Sequence, residues 1–91
     1  MDNTQNTREY NKGLVEALIF LSGEPVKLGT LADSIKLEKS YVRDLVEELI
    51  LDYSERNGGF LLKEIAGGYQ FLTNEAYYKV LGGIFKERKR E

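Results

Sequence analysis

The 91-residue chain contains no cysteine and no histidine. Without cysteine there is no disulfide, no thiolate nucleophile and no zinc thiolate site, and without histidine the commonest general base and metal ligand are missing. Most hydrolytic and redox chemistry is excluded by these two absences. The longest uninterrupted apolar run, Ala17 to Leu21, is five residues, against roughly 20 for a membrane-crossing helix, and the polar N-terminus holds no hydrophobic signal region. The expectation is an intracellular, cytoplasmic protein with no membrane partner. Neither charge dominates: thirteen Lys and Arg against fifteen Asp and Glu leave a net charge of −2, so strong nucleic-acid binding by bulk charge is not expected.

What remains is an ordinary globular composition, 42% apolar with ten aromatic side chains. A chain of this length makes one domain and buries roughly 64% of its unfolded surface, enough for a thin core. Residues 1–7 are polar, rich in Asn and Thr, and read as a disordered tail. From Tyr10, the residues Tyr10, Leu14, Ala17, Leu18 and Leu21 recur at helical spacing and predict a first helix ending near Ser22-Gly23. Ile19 and Phe20 lie off that stripe, which leaves the helix apolar over more of its circumference than one buried face requires. The single proline, Pro25, fixes an extended link with room for a short strand at Val26. Leu28, Leu31, Ala32 and Ile35 mark a short second helix, with a turn at Lys36-Leu37. Val42, Leu45, Val46, Leu49, Ile50 and Tyr53 mark a long third one, stopped by Gly58-Gly59.

After the double glycine the texture changes to strands. Phe60–Ile65 and Tyr69–Thr73 flank Ala66-Gly67-Gly68, a hairpin in which the two glycines are expected to supply positive φ angles. Thr73 or Asn74 then caps a last helix with a stripe of Tyr77, Val80, Leu81, Ile84 and Phe85, interrupted by Gly82-Gly83, before the charged tail 86–91. The order of elements predicts an α+β fold, a winged helix-turn-helix with a three-helix core, a two-stranded β-hairpin wing and a C-terminal helix, over residues 8–85.

A DNA-reading winged helix presents a basic outer face of its third helix to the groove. Here residues 28–57 hold four basic side chains, Lys36, Lys39, Arg43 and Arg56, against seven acidic ones. The face opposite the stripe carries Ser40, Asp44, Glu47, Glu48, Leu51 and Glu55, so phosphates would meet carboxylates. Groove reading is disfavoured, although a small DNA-binding regulator using Arg43 and the tail cations is the alternative reading of this fold. Catalysis has little support. The neighbouring carboxylates Asp44, Glu47 and Glu48 read as solvated charge, the serines Ser22, Ser34, Ser40 and Ser54 have no histidine to activate them, and no glycine pair has phosphate-loop spacing. No catalytic residue, metal ligand or cofactor is assigned. Apolar side chains in excess of the core are instead the candidates for a protein interface: Ile19, Phe20, Leu51, Leu61, Tyr69, Tyr78 and Phe85.

Two stretches resemble a known family. Leu14-Val15-Glu16-Ala17-Leu18-Ile19-Phe20 followed by Ser22-Gly23-Glu24-Pro25-Val26, and Glu64-Ile65-Ala66-Gly67-Gly68-Tyr69-Gln70-Phe71-Leu72-Thr73, look like the N-terminal winged helix of segregation and condensation protein B (ScpB), partner of the bacterial SMC complex. The resemblance runs from about Leu14 to Phe85. It implies a non-enzymatic, nucleoid-associated scaffold in chromosome segregation and condensation. Such a scaffold forms a homodimer and binds the kleisin subunit ScpA, and through it the SMC ATPase, with no sequence-specific DNA contact. The family carries a second winged helix after a linker, so 86–91 reads as a charged tail or the start of a linker to an absent second winged helix.

Overall fold

A computed structural model describes residues 7–89, with side chains through Phe85. Of the polar tail expected at 1–7 only Thr7 is described, and residues 90–91 of the charged tail also lie outside. Thr7 starts the first helix: its hydroxyl accepts from the Tyr10 amide, and α1 runs over Arg8–Ser22 until Gly23 turns left-handed at φ 73°. The Pro25 link follows, then α2 (Leu28–Ile35), a turn at Lys36, and α3 (Lys39–Arg56). Two strands, β1 (Phe60–Ile65) and β2 (Gly68–Thr73), form an antiparallel hairpin. A single 3-10 turn, Glu75–Tyr77, leads into α4 (Tyr78–Lys89).

The core is made where α1, α2 and α3 meet and is closed by the hairpin. Val15 and Ile19 of α1, Leu31 and Ala32 of α2, and Val42, Leu45, Val46 and Leu49 of α3 pack together, with Leu62 and Tyr69 supplied by the wing. The second and third helices bury the stripes their spacing predicts. The first does not: its inward row is Asn11, Val15 and Ile19, while Tyr10, Ala17 and Leu21 are exposed. The buried face is thus turned by about 100°, one residue's rotation, from the expected stripe. Both faces of α1 are apolar, and it is the β-branched Val15 and Ile19 that join Val42 and Val46 of α3 in the buried cluster. The buried Asn11 amide is satisfied by donating to the Tyr41 hydroxyl at 3.1 Å.

Glycines act at other positions than the sequence suggests. The third helix is ended by Asn57, left-handed at φ 51°, ahead of Gly58-Gly59. In the hairpin the two central turn residues with positive φ are Ala66 (50°) and Gly67 (81°), the two-residue turn that matches strand twist. Gly68 is already in β2 and buried. A Cβ there would stand 2.9 Å from the Val26 amide nitrogen and 3.0 Å from the Pro25 carbonyl carbon. That close approach lets Val26 pair with Tyr69 through two backbone bonds, 2.9 and 2.8 Å long, as the short strand-like segment expected at Val26.

At the far end of the hairpin Asn74 is buried and fully used. Its amide nitrogen donates to Asn57 Oδ1 (3.0 Å) and to the Gly58 carbonyl (2.8 Å), and its Oδ1 accepts from the Ala76 amide (3.0 Å). The root of the last helix is therefore fixed to the end of α3. Beyond that root α4 packs chiefly on the 3-10 turn, and the molecule measures 50 × 25 × 24 Å.

Gly68→Ala should destabilise the domain by about 1–3 kcal/mol, as overpacking against backbone that cannot move aside. Gly13→Ala, mid-helix with open space around it, should stabilise it by about 0.5–1 kcal/mol. Urea denaturation of the two variants beside wild type checks both signs.

Candidate functional site

Turning α1 inward on Val15 and Ile19 sends Phe20 outward, where it is 66% exposed. There it stands at the edge of an aromatic cluster. Phe20 and Phe71 meet edge-on with centroids 6.5 Å apart, Tyr53 and Phe71 are 5.0 Å apart, and Phe60 lies 5.7 Å from Tyr53 and 5.8 Å from Phe71. With Gly13, Glu16 and Ala17 these rings line an open groove of about 340 Å³ between α1, the end of α3 and the wing. The Tyr53 hydroxyl donates to the Glu16 carboxylate, and this acceptor, with partial burial, pushes the phenol up to about 12. One polar pair thus sits on the rim of an otherwise apolar surface.

The second apolar surface is α4. Its stripe is expected to be core, yet Tyr77, Val80, Ile84 and Phe85 are exposed, Val80 at 67% and Phe85 at 55%, with only Leu81 half-buried; Tyr78, off the stripe, is exposed too. The hairpin already closes the three-helix core through Leu62 and Tyr69, and the Asn74 anchor directs the helix away.

The seven candidate residues therefore divide. Ile19 and Tyr69 are core residues, 1% and 8% exposed, and cannot present a surface: the first sits on the true inward row of α1, the second is drawn in by its pairing with Val26. Phe20, Leu51, Tyr78 and Phe85 are exposed, and Leu61 is half-buried opposite Leu72. Phe20 belongs to the groove, and Tyr78 and Phe85 to α4. The groove residues Tyr53, Phe60 and Phe71 escaped the sequence reading. The signal was present in hairpin alternation, which puts Phe60 and Phe71 on the face that carries Leu62.

The charged face of α3 is less free than its sequence implies. Arg8 meets Glu48 through contacts of 2.5 and 2.6 Å, and Lys12 reaches Glu48 at 3.2 Å and Asp52 at 2.7 Å, so the start of α1 is zipped to α3. Arg8, then Lys12, hold the Glu48 carboxyl down at about 2, from an ordinary 4.5. A carboxylate so held is a poor general base or acid near neutral pH. Between α2, the start of α3 and the wing, where a DNA-binding relative would receive phosphate, an open groove has Lys27, Lys39 and Arg43 offset by Asp33, Glu47 and Glu64. Three cations against three anions give no net attraction for a polyanion. Among the described residues no group of His, Cys, Asp or Glu could hold a metal ion, and no helix is long and apolar enough to cross a membrane.

Residues 13–91 match the family of segregation and condensation complex subunit ScpB. The chain belongs to the ScpB family. Segregation and condensation protein B of Agathobacter rectalis is 39% identical over 80 residues, which are 87% of this chain and 43% of that protein. The same protein of Ruminiclostridium cellulolyticum is 24% identical over 78 residues, 86% of this chain and 41% of that protein. The chain thus spans less than half the length of these ScpB relatives. Among solved structures, ScpB of Mycobacterium tuberculosis shares the fold with a TM-score of 0.84 at 18% identity, over 93% of this chain and 53% of that one. A dimer of the ScpB N-terminal domain complexed with ScpA peptide matches with a TM-score of 0.77 at 25% identity, over 84% of this chain and 95% of that one. The winged-helix assignment stands on these ScpB neighbours as well as on the order of elements.

Because Glu48 has its pKa lowered by folding, its ion pairs stabilise the protein fully above the unfolded value near 4.5 and are lost as pH falls toward about 2. Glu48→Gln should lower the thermal midpoint at pH 7, and the gap to wild type should close across that window. A gap that persisted at pH 2 would mean that Glu48 acts through packing.

Proposed function

We propose that this chain is a non-enzymatic scaffold and homodimerisation domain of a bacterial SMC–kleisin complex for chromosome segregation and condensation, and that it binds the kleisin subunit ScpA. It would work in the cytoplasm, on the nucleoid, and reach the SMC ATPase through ScpA. Residues 8–85 would form the working domain. The observation that carries the reading is the match to a dimeric ScpB N-terminal domain bound to ScpA peptide, which covers 84% of this chain and nearly all of that one.

The surface chemistry supports it. The domain offers two apolar surfaces that its own core does not use, the aromatic groove and the α4 stripe. The sequence has no cysteine or histidine, Glu48 is held ionised by Arg8 and Lys12, and the groove facing the wing has as many anions as cations. Exposed apolar patches rimmed by polar groups are the usual mark of a protein contact.

Light scattering on the purified chain, alone and mixed with the middle segment of ScpA from the same genome, tests both parts. The expected masses are those of a dimer alone and of a dimer carrying ScpA segment in the mixture. A monomer that ignores ScpA and instead binds duplex DNA with a steep salt dependence would replace this reading with the regulator one.

A further inference from the structure

Asn57 and Gly58, between α3 and β1, form the one Asn-Gly step in the sequence; the other asparagines are followed by Thr, Lys or Glu. An asparagine before glycine can lose its amide without an enzyme, because the next backbone nitrogen attacks the side chain and glycine has no Cβ to shield that nitrogen.

The structure brings together what this reaction needs. Asn57 stands outside the helix as its exposed left-handed cap, at φ 51° and ψ 47°. Its own amide donates to the Tyr53 carbonyl at 3.0 Å, whereas the Gly58 amide has no acceptor among the described residues. Asn57 Oδ1 accepts from the Asn74 side-chain amide at 3.0 Å, which draws electron density from Cγ and would hold the oxyanion formed there. A Cβ placed on Gly58 would stand 3.3 Å from Arg56 Nε. A guanidinium therefore lies beside the attacking nitrogen and favours loss of its proton.

We propose that Asn57-Gly58 is a site of spontaneous deamidation and isomerisation, and that its conversion loosens the root of α4. The Gly58 nitrogen bonds to Asn57 Cγ, the Cγ–Nδ2 bond breaks, and the Gly58 amide proton leaves with Nδ2 as ammonia, which gives a cyclic succinimide. Solvent water then opens the ring. Cleavage of the new Cγ–N bond yields Asp, and cleavage of the original backbone C–N bond yields isoaspartate, with the chain running through Cβ and Cγ; each product carries one carboxylate. Ring closure turns Gly58 about the Asn57 Cα–C bond and frees its carbonyl from Asn74, so the reaction is paced by opening of the cap.

The two products differ in effect. Asp keeps an acceptor for Asn74, although it sets a negative charge at the C-terminal end of α3, where the helix dipole disfavours one. Isoaspartate lengthens the main chain by a methylene between the Tyr53 bond and the Gly58 carbonyl. Asn74 then loses its simultaneous hold on Asn57 Oδ1 and the Gly58 carbonyl, the contacts that fix the start of α4 to α3. The inference stands on this cap and does not depend on the scaffold reading above.

The test is incubation of the full chain at physiological temperature and pH, followed by peptide mass mapping. Methyl transfer from S-adenosylmethionine by a protein isoaspartyl methyltransferase reports isoaspartate. Asn57 should gain about 1 Da roughly tenfold faster than Asn11 or Asn74, and its peptide should accept methyl groups. Gly58→Ala meets only the flexible Arg56 side chain and should slow the conversion about tenfold. In the isoaspartate fraction, hydrogen exchange over residues 75–81 should be about tenfold faster than in fresh protein. Equal conversion at Asn57 and Asn11 overturns the site, a comparison made within the wild-type chain and independent of whether Gly58→Ala folds. A folded Gly58→Ala variant that converts at the wild-type rate overturns the Gly58 nitrogen as the attacking group. Conversion at Asn57 with unchanged exchange over 75–81 overturns the coupling to α4.

Discussion

The rotation of α1 about its own axis sets most of what this domain presents to its surroundings. Val15 and Ile19, one helical turn apart, lock against the α3 row of Val42, Leu45, Val46 and Leu49, where a close-packed interior rewards a good fit of small branched side chains. Once that row is inward, Phe20 has no route into the core. It is left on the rim with Phe71, and Tyr53 and Phe60 complete a surface of rings. The aromatic groove is thus a consequence of core packing elsewhere on the same helix.

Two close approaches then fix the wing and the last helix relative to that core. Gly68 lets the Pro25-Val26 backbone reach β2, so that Val26 and Tyr69 exchange two bonds and Tyr69 is drawn inside. Asn74 ties the end of the hairpin to the end of α3. With the wing pinned at both ends, Leu62 and Tyr69 close the three-helix core and leave no place on it for the stripe of α4. Residues 8–74 carry a net charge of −3, and the exposed apolar side chains of α4 stand away from that body.

The elements with one apolar face and clear punctuation were legible in advance. In α2 and α3 one side is dominantly apolar, so the periodic residues had a single way to be buried, and the two strands of the hairpin followed from their residue types and the short link between them, though the link was read one residue too long. In α1 apolar residues surround most of the helix, and periodicity cannot choose between a leucine-rich stripe and the Val15–Ile19 row. Asn11 adds to the ambiguity, because an amide reads as surface until its partner, the Tyr41 hydroxyl, is known. Glycine roles were misplaced for a related reason. Asn57 and Ala66 also adopt positive φ, which freed Gly68 for a steric purpose that depends on a segment more than forty residues earlier.

The sequence alone was sufficient for the class of fold, for the absence of thiol and imidazole chemistry, and for the family resemblance, because composition, local periodicity and turn residues are properties of neighbours along the chain. It also marked Phe20 as a surplus apolar residue, since helix spacing shows when a face is too wide to bury. Only the tertiary structure decided that Ile19 and Tyr69 are core, that Phe60 and Phe71 join Phe20 in one groove, and that the stripe of α4 lies open except at Leu81. Those outcomes depend on which of several apolar faces wins a place in a small core, a competition settled between segments far apart in sequence.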